Sequence, residues 1–280
     1  MRTLAIGLIV TAGAAVLFTV VVAAPALAGW PGGPAKCAPD AVKAGSVCMD
    51  KYEASVWQVP NPTTTNKALV KKIQNGTATL ANLTAGGATQ LGLAGVDDYP
   101  CADNGQDCKD KIFAVSIAGV KPSVDITWFQ AQEACTNSRK GLPSNAQWQA
   151  AANGSPDPGP DDGATDCNTT NQGFPTNDPV LTGSRINCVS ARGAYDMVGN
   201  LSEWVADWVP LSDTYQCPTW GAFSNDTQCF AGAITTANTG PGALVRGGTF
   251  GNDVLAGPLA VNGTIRPSDS GNSLGFRCAR

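Results

Sequence analysis

The sequence predicts an α+β fold in which loops outnumber regular elements. Two segments carry apolar residues at helical spacing, and several shorter segments between turn residues have the composition of strands. Glycine (32) and proline (19) are frequent among the 280 residues, which favours turns over long helices. Because the chain shows no internal repeat, we expect one large domain rather than an array, and its length is sufficient for a sizeable core.

The first 28 residues have the features of a signal peptide. Arg2 precedes an apolar run over residues 4–24, and Ala26 and Ala28 form a small-x-small cleavage signal. We expect cleavage after Ala28, a secreted or periplasmic/cell-envelope location, and no membrane span in the mature chain. The apolar run is long, so an uncleaved signal anchor is the alternative. Residues 29–45 begin with glycine and proline and are predicted to be a linker.

The expected elements begin with a strand over residues 47–55, VCMDKYEAS. Residues 60–110 are polar and rich in glycine, asparagine and threonine, with one short helix expected at residues 67–74. A first main helix should follow Thr127 as N-cap, with Trp128, Ala131 and Cys135 on its apolar face.

A second main helix should begin after Ser144, because Gln147 three residues later completes a capping box. Residues 154–190 are predicted to be loops, and strands should resume near residues 203–208, 244–246 and 275–279. The even spacing of Trp204 and Trp208 places both on one face of a strand, where we favour core packing over a ligand platform.

Charge and histidine content exclude several classes of function. The net charge is −4, only 14% of residues are charged, and no basic patch is evident, so nucleic-acid binding is not expected. The chain contains no histidine, which excludes histidine-ligated zinc or iron, Ser-His-Asp catalysis and Cys-His catalysis.

The ten cysteines all lie beyond the expected signal peptide. An even number in an exported chain, without a C-x-x-C pair, indicates a disulfide framework. Sequence alone does not fix the pairing. Proximity along the chain favours Cys37–Cys48, Cys101–Cys108, Cys167–Cys188 and Cys217–Cys229.

Three motifs near the C-terminus resemble the core of the sulfatase-modifying factor family, which includes the formylglycine-generating enzymes. They are GAYDMVGNLSEWVADW (residues 193–208), LVRGGTF (244–250) and LGFRCAR (274–280). With the segments around residues 46–59 and 122–152, the resemblance covers most of the mature chain. It implies an irregular, loop-rich, C-type-lectin-like domain over residues 46–280, with an insertion at about 60–110.

The same resemblance implies a disulfide between Cys135 and Cys278, since family members join their long helix to the last strand at matching positions. In the chain-entropy model, closing so long a loop stabilises the fold by about 4–5 kcal/mol.

The family's copper chemistry requires two cysteines that this chain lacks. With the sequences matched at Arg246-Gly247-Gly248, the cysteine positions fall on Asn252 and Gly257. Cu(I) prefers thiolate ligands, so the resemblance predicts no copper, and the absence of histidine predicts no iron. Thr249 lies at the family's active-site serine, and Ser202 replaces its usual tryptophan.

A calcium loop is the functional feature that the resemblance retains. Matched residue by residue, the expected ligands are the carboxylates of Asp196 and Glu203 and the backbone carbonyls of Gly199 and Leu201. Calcium requires six or more oxygens, and two carboxylates offset its charge. The alternative is that both carboxylates bond backbone amides of the turn. A second family calcium site would lie within residues 168–184, where no ligands can be assigned.

These features favour an exported, non-oxidase binding or structural module, stabilised by calcium and disulfides. Its ligand would be a protein, a peptide or a glycan at the cell envelope. The alternative is a divergent formylglycine-generating-type oxidoreductase, or another enzyme in the same groove, or an accessory subunit of an envelope complex. The polar residues expected at the degenerate groove are Thr249, Asn252, Asp253 and Arg266.

Overall fold

The computed structural model describes residues 36–93, 95–157, 161–170, 178–212 and 240–280. Within these ranges the elements are β1 (Ala41–Ala44), β2 (Val47–Asp50), β3 (Ser55–Gln58), α1 (Lys67–Gln74), α2 (Leu80–Ala85), β4 (Thr89–Leu91), β5 (Phe113–Val115), α3 (Trp128–Asn137), α4 (Asn145–Ala152), β6 (Ser202–Pro210), β7 (Pro241–Arg246), β8 (Val261–Ile265) and β9 (Leu274–Phe276).

The largest sheet among the described residues has the strand order β8-β7-β6-β9, in which only β6 and β9 run parallel. Trp204 on this sheet packs with Cys135 of α3 in one core. The next residue, Val205, packs with Trp148 of α4 in a second core. Because successive strand residues point to opposite faces, the sheet lies between α3 and α4.

Both predicted main helices are confirmed, with their N-caps. The side chain of Thr127 accepts from the backbone of Gln130 at the start of α3, and that of Ser144 accepts from Gln147 at the start of α4. In each helix the glutamine side chain also bonds the N-cap backbone, which completes a capping box.

The strand predicted at residues 47–55 is interrupted, which corrects that prediction. Residues 51–54 lie between β2 and β3 because their amides bond other partners. The amide of Lys51 donates to the carbonyl of Asp40, and that of Ala54 donates to the carbonyl of Phe276. The last strand is also shorter than predicted, since Ala279 makes only isolated bridges to Met49 and Gly141.

The core interpretation is confirmed for Trp204 and wrong for Trp208. Trp204 is fully buried, whereas Trp208 is 44% exposed. The register of β6 against β7 shifts between these two residues, and the second half of β6 leaves the core. Trp208 instead makes edge contacts with Trp128 and Phe129, at centroid distances of 5.1 and 5.7 Å.

The region from residue 60 to 110 is more ordered than its composition suggested. The expected helix at residues 67–74 is confirmed as α1, and α2 and β4 follow it. Leu69, Ile73 and Leu83 from these helices pack with Trp57 and Phe113 in a separate small core.

Four disulfides join the described cysteines, and each pairing matches the prediction: Cys37–Cys48, Cys101–Cys108, Cys135–Cys278 and Cys167–Cys188. Cys217 and Cys229 lie outside the described residues. No helix in the described part of the chain has the length and apolar character needed to cross a membrane.

Candidate functional site

A polar pocket of about 330 Å³ lies beside the Arg-Gly-Gly turn, on the α3 side of the main sheet. Two apolar residues, Ile265 and Leu274, form part of its wall. Six side chains with hydroxyl or amide groups line the rest: Ser202, Thr249, Asn252, Asn262, Ser270 and Ser273.

Two glycines shape the turn that carries part of this pocket. Gly247 and Gly248 have φ values of +87° and +79°, a region that side chains other than glycine rarely adopt. A Cβ on Gly248 would lie 2.6 Å from the Cα of Ala256, so the chain after the turn approaches too closely for any other residue. The turn therefore directs Thr249 and Asn252 into the pocket wall.

The predicted groove residues divide into two pairs. Thr249 and Asn252 both line the pocket, and the amide of Thr249 donates to the side-chain oxygen of Asn252 at 2.8 Å. Asp253 and Arg266 are exposed and lie outside the lining. Gly257 is buried, and its amide bonds the carbonyl of Gly247.

Ser202 is the most enclosed hydroxyl in the pocket wall. The residue is only 4% exposed, and none of the described residues makes a hydrogen bond to its side chain. Because this hydroxyl has no partner among the described residues and yet is not fully enclosed by protein atoms, it reaches the pocket surface. A buried hydroxyl is costly unless water or a ligand bonds it, so this group is a candidate ligand contact.

The next residue, Glu203, belongs to a buried polar network on the α4 side of the sheet. Its Oε1 accepts from Arg277 Nη2 at 2.5 Å, and its Oε2 accepts from Arg277 Nε and the Trp148 indole, both at 2.7 Å. Arg277 is fully buried and also donates to the carbonyl of Tyr195. This network fixes β6, β9 and α4 relative to one another.

Glu53 is a second buried carboxylate in the same region. It accepts from the amide of Leu201 at 3.0 Å and from the side chain of Asn200, and so holds the turn before β6. Burial raises the pKa of Glu53 well above its ordinary value, and nearby Asp196 raises it further. Sequence reasoning assigned no role to Glu53 or Arg277, although both lie in the motifs MDKYEAS and LGFRCAR.

The expected calcium residues lie close to this network. Asp196 is 1% exposed; its Oδ2 accepts from the amide of Gly183 at 2.7 Å, whereas Oδ1 is enclosed without a hydrogen-bond partner among the described residues. Gly199 has a φ of +71°, and a Cβ there would lie 2.3 Å from the carbonyl oxygen of Asn168. Burial raises the pKa of Asp196 to about 7.

This donor set fits a hard cation only in part. Three buried carboxylates lie near the side chain of Arg277, namely those of Asp196, Glu203 and Glu53. Oδ1 of Asp196 accepts no hydrogen bond from a described residue, so it is a suitable ligand atom for calcium. Both oxygens of Glu203 already accept from Arg277. Among the described residues, neither Asp196 nor Glu203 accepts a hydrogen bond from an amide of the turn between them, which was the alternative to a calcium site.

A search against family models matches residues 42–280 to the sulfatase-modifying factor enzyme 1-like domain. The chain belongs to this family. The domain has the family's loop-rich α+β, C-type-lectin-like fold, and disulfides join its elements. The resemblance drawn from the three C-terminal motifs is thereby confirmed.

A curated relative of this sulfatase-modifying-factor-like chain is the formylglycine-generating enzyme of Thermomonospora curvata. It is 28% identical over 177 residues, which cover 56% of this chain and 55% of the relative. The chain thus matches about half the length of that enzyme.

Two solved structures are similar to this chain at low sequence identity. PvdO from Pseudomonas aeruginosa is 20% identical with a TM-score of 0.44, and the match covers 89% of each chain. The Major Tropism Determinant M1 variant is 18% identical with a TM-score of 0.47, over 88% of this chain and 54% of the other.

Proposed function

We propose that this protein is an exported binding module of the sulfatase-modifying factor family, supported by disulfides and calcium, and that it does not oxidise thiols. The proposal combines a retained framework with an altered site. The buried network around Glu203 and Arg277 preserves the sheet, while the pocket beside the Arg-Gly-Gly turn presents neutral polar groups.

The composition of the pocket wall carries the proposal. Asn252, which replaces one of the family's copper-binding cysteines, lines the pocket, and its side-chain oxygen accepts from Thr249. No thiol is among the described residues that line the pocket, and each of the eight described cysteines is in a disulfide. Without thiolates, the described site offers no suitable ligands for Cu(I).

The alternative is a divergent formylglycine-generating-type oxidoreductase. It is favoured by the curated relative that bears that name and matches 56% of this chain. It would require copper ligands from outside the described residues, where Cys217 and Cys229 lie.

The calcium part of the proposal depends on Asp196. The unpartnered Oδ1 of this residue and the surplus of buried carboxylates would both be satisfied by a divalent cation. The carbonyls of Gly199 and Leu201 would supply further oxygens, and Glu203 would share its carboxylate with Arg277. Calcium would add rigidity to the turn that precedes β6.

An oxidase assay tests the central proposal. Purified mature protein is incubated with a Cys-x-Pro-x-Arg peptide, copper and oxygen, and the peptide is analysed by mass spectrometry for aldehyde. We expect no aldehyde above a protein-free control, with the Thermomonospora curvata relative as the positive control. Aldehyde formed in proportion to enzyme would overturn the non-oxidase assignment.

Export is tested separately, by the mass of the N-terminus of protein recovered from the native host. We expect a chain that starts at residue 29, because cleavage follows Ala28. A chain that retains the apolar segment at residues 4–24 would instead indicate a signal anchor.

A further inference from the structure

We propose that the pocket beside the Arg-Gly-Gly turn binds a neutral saccharide, which it recognises through the hydroxyls of Ser202, Ser270 and Ser273 and the amide of Asn262. This inference rests on the proposed binding function and specifies its ligand class. It is drawn from the charge, the hydrogen-bonding capacity and the apolar wall of the pocket.

The first argument is electrostatic. None of the described residues that line the pocket is charged, and Asp253 and Arg266, the charged residues expected there from sequence, lie outside this lining. An ionised ligand group would lose solvation in the pocket without gaining a counter-charge, which is costly. A neutral polar ligand avoids that cost.

The second argument is the availability of hydrogen-bonding groups. The hydroxyls of Ser202, Ser270 and Ser273 make no side-chain hydrogen bond to any described residue, and Ser202 is 4% exposed. The side-chain oxygen of Asn262 accepts from both the amide and the hydroxyl of Thr264, so its NH₂ is left to donate. Hydroxyls can donate and accept, and a saccharide carries several groups of the same kind.

The third argument is the apolar part of the same surface. Ile265 and Leu274 give the pocket a wall against which the C–H face of a sugar ring can pack.

A peptide ligand is less well matched to this wall. Peptide segments are usually anchored by a large apolar or charged side chain in a fitted socket. The described lining offers two aliphatic residues and no charge, so it lacks such a socket.

The test uses the full mature chain on an array that carries neutral glycans, anionic glycans and peptides. Any neutral glycan that binds is then titrated against the wild type and two variants. Ser202→Ala removes one pocket hydroxyl. Thr84→Ala is the matched control, since Thr84 is exposed on α2, outside the pocket, and its hydroxyl makes no hydrogen bond to a described residue. The melting temperature of each variant is measured in parallel.

We expect binding to neutral glycans, weakened about three- to ten-fold by Ser202→Ala at an unchanged melting temperature, and unaffected by Thr84→Ala. Binding of anionic glycans or peptides alone would overturn the saccharide inference and leave the binding function intact. Binding to nothing on the array would overturn the inference as well. Aldehyde in the oxidase assay, with no glycan bound, would overturn both proposals.

Discussion

Ser202 and Glu203 are neighbours on β6, yet they face different environments. Glu203 points toward α4, where Arg277 and Trp148 occupy its carboxylate. Ser202 points toward the pocket, where no described residue bonds its hydroxyl. One strand thus carries a fully satisfied structural network on one face and unused polar groups on the other.

This contrast explains how the fold persists while the site changes. The α4 face depends on complementary charges, in which each member is costly to lose because its partner is then left buried and unpaired. The pocket face has no such dependence, since its hydroxyls and amides serve water or a ligand. Substitutions at Ser202, Thr249 and Asn252 are therefore compatible with an unchanged framework.

The largest expected effect comes from the disulfide that joins α3 to the chain just after β9. Replacing both Cys135 and Cys278 with alanine opens a loop of 143 residues and should lower the free energy of unfolding by about 4–5 kcal/mol in the chain-entropy model. Chemical denaturation measures the change. The matched control removes Cys101–Cys108, which closes only seven residues and should cost about half as much. Equal losses from the two disulfides would contradict a role for loop length.

Breaking the buried ion pair should have the next largest effect. Arg277→Met leaves Glu203 buried without its cation and should destabilise the protein by about 3–5 kcal/mol. Lys111→Met is the control, because its pair with Asp107 is 41% and 55% exposed, and we expect no measurable change. Similar melting curves for the two variants would show that the Glu203 network does not support the framework.

Sequence predicted the elements that depend on local signals. The capping residues Thr127 and Ser144 located the starts of both main helices, and cysteine proximity gave three of the four observed disulfides, with Cys135–Cys278 following from the family resemblance. Of the four groove residues predicted around the Arg-Gly-Gly motif, Thr249 and Asn252 line a pocket, whereas Asp253 and Arg266 lie outside its lining.

The features that sequence did not predict depend on contacts between distant segments. The break between β2 and β3 arises from bonds that residues 51–54 make to Asp40, Ser116 and Phe276. The exposure of Trp208 follows from a register shift against β7, which side-chain alternation within β6 cannot reveal. The role of Glu53 requires knowing that its carboxylate meets the amide of Leu201, 148 positions away.

Calcium should have an intermediate effect on stability. If Asp196 is a ligand, calcium at about one hundred times its dissociation constant should stabilise the protein by about 2.7 kcal/mol, and Asp196→Asn should abolish this gain. Thermal melts with calcium and with chelator measure it. Asp253→Asn is the control, since that carboxylate is exposed and outside the loop. An equal calcium response in wild type and Asp196→Asn would exclude Asp196 as a ligand.

The pH dependence of the calcium-free protein gives an independent test. The folded pKa of Asp196 is about 7, above its ordinary value of 3.8, so the folded state binds the proton more tightly than the unfolded state. The contribution of Asp196 to stability should therefore be greatest below about pH 4 and fall as the pH rises through about 7. Asp196→Asn should reduce this fall. Since calcium favours the ionised carboxylate, the stability gained from calcium should increase over the same range.

The smallest expected effect concerns Ser202 itself. Ser202→Ala removes a hydroxyl that no described residue bonds, so the free energy of unfolding should change by less than about 0.5 kcal/mol. Glu203→Gln, one residue away, is the variant for comparison. It keeps the shape of the side chain but removes the charge that pairs with Arg277, so it should lower the free energy of unfolding far more than Ser202→Ala does. A large loss from Ser202→Ala would mean that this hydroxyl supports the fold, and the two faces of β6 would then differ in chemistry but not in structural importance.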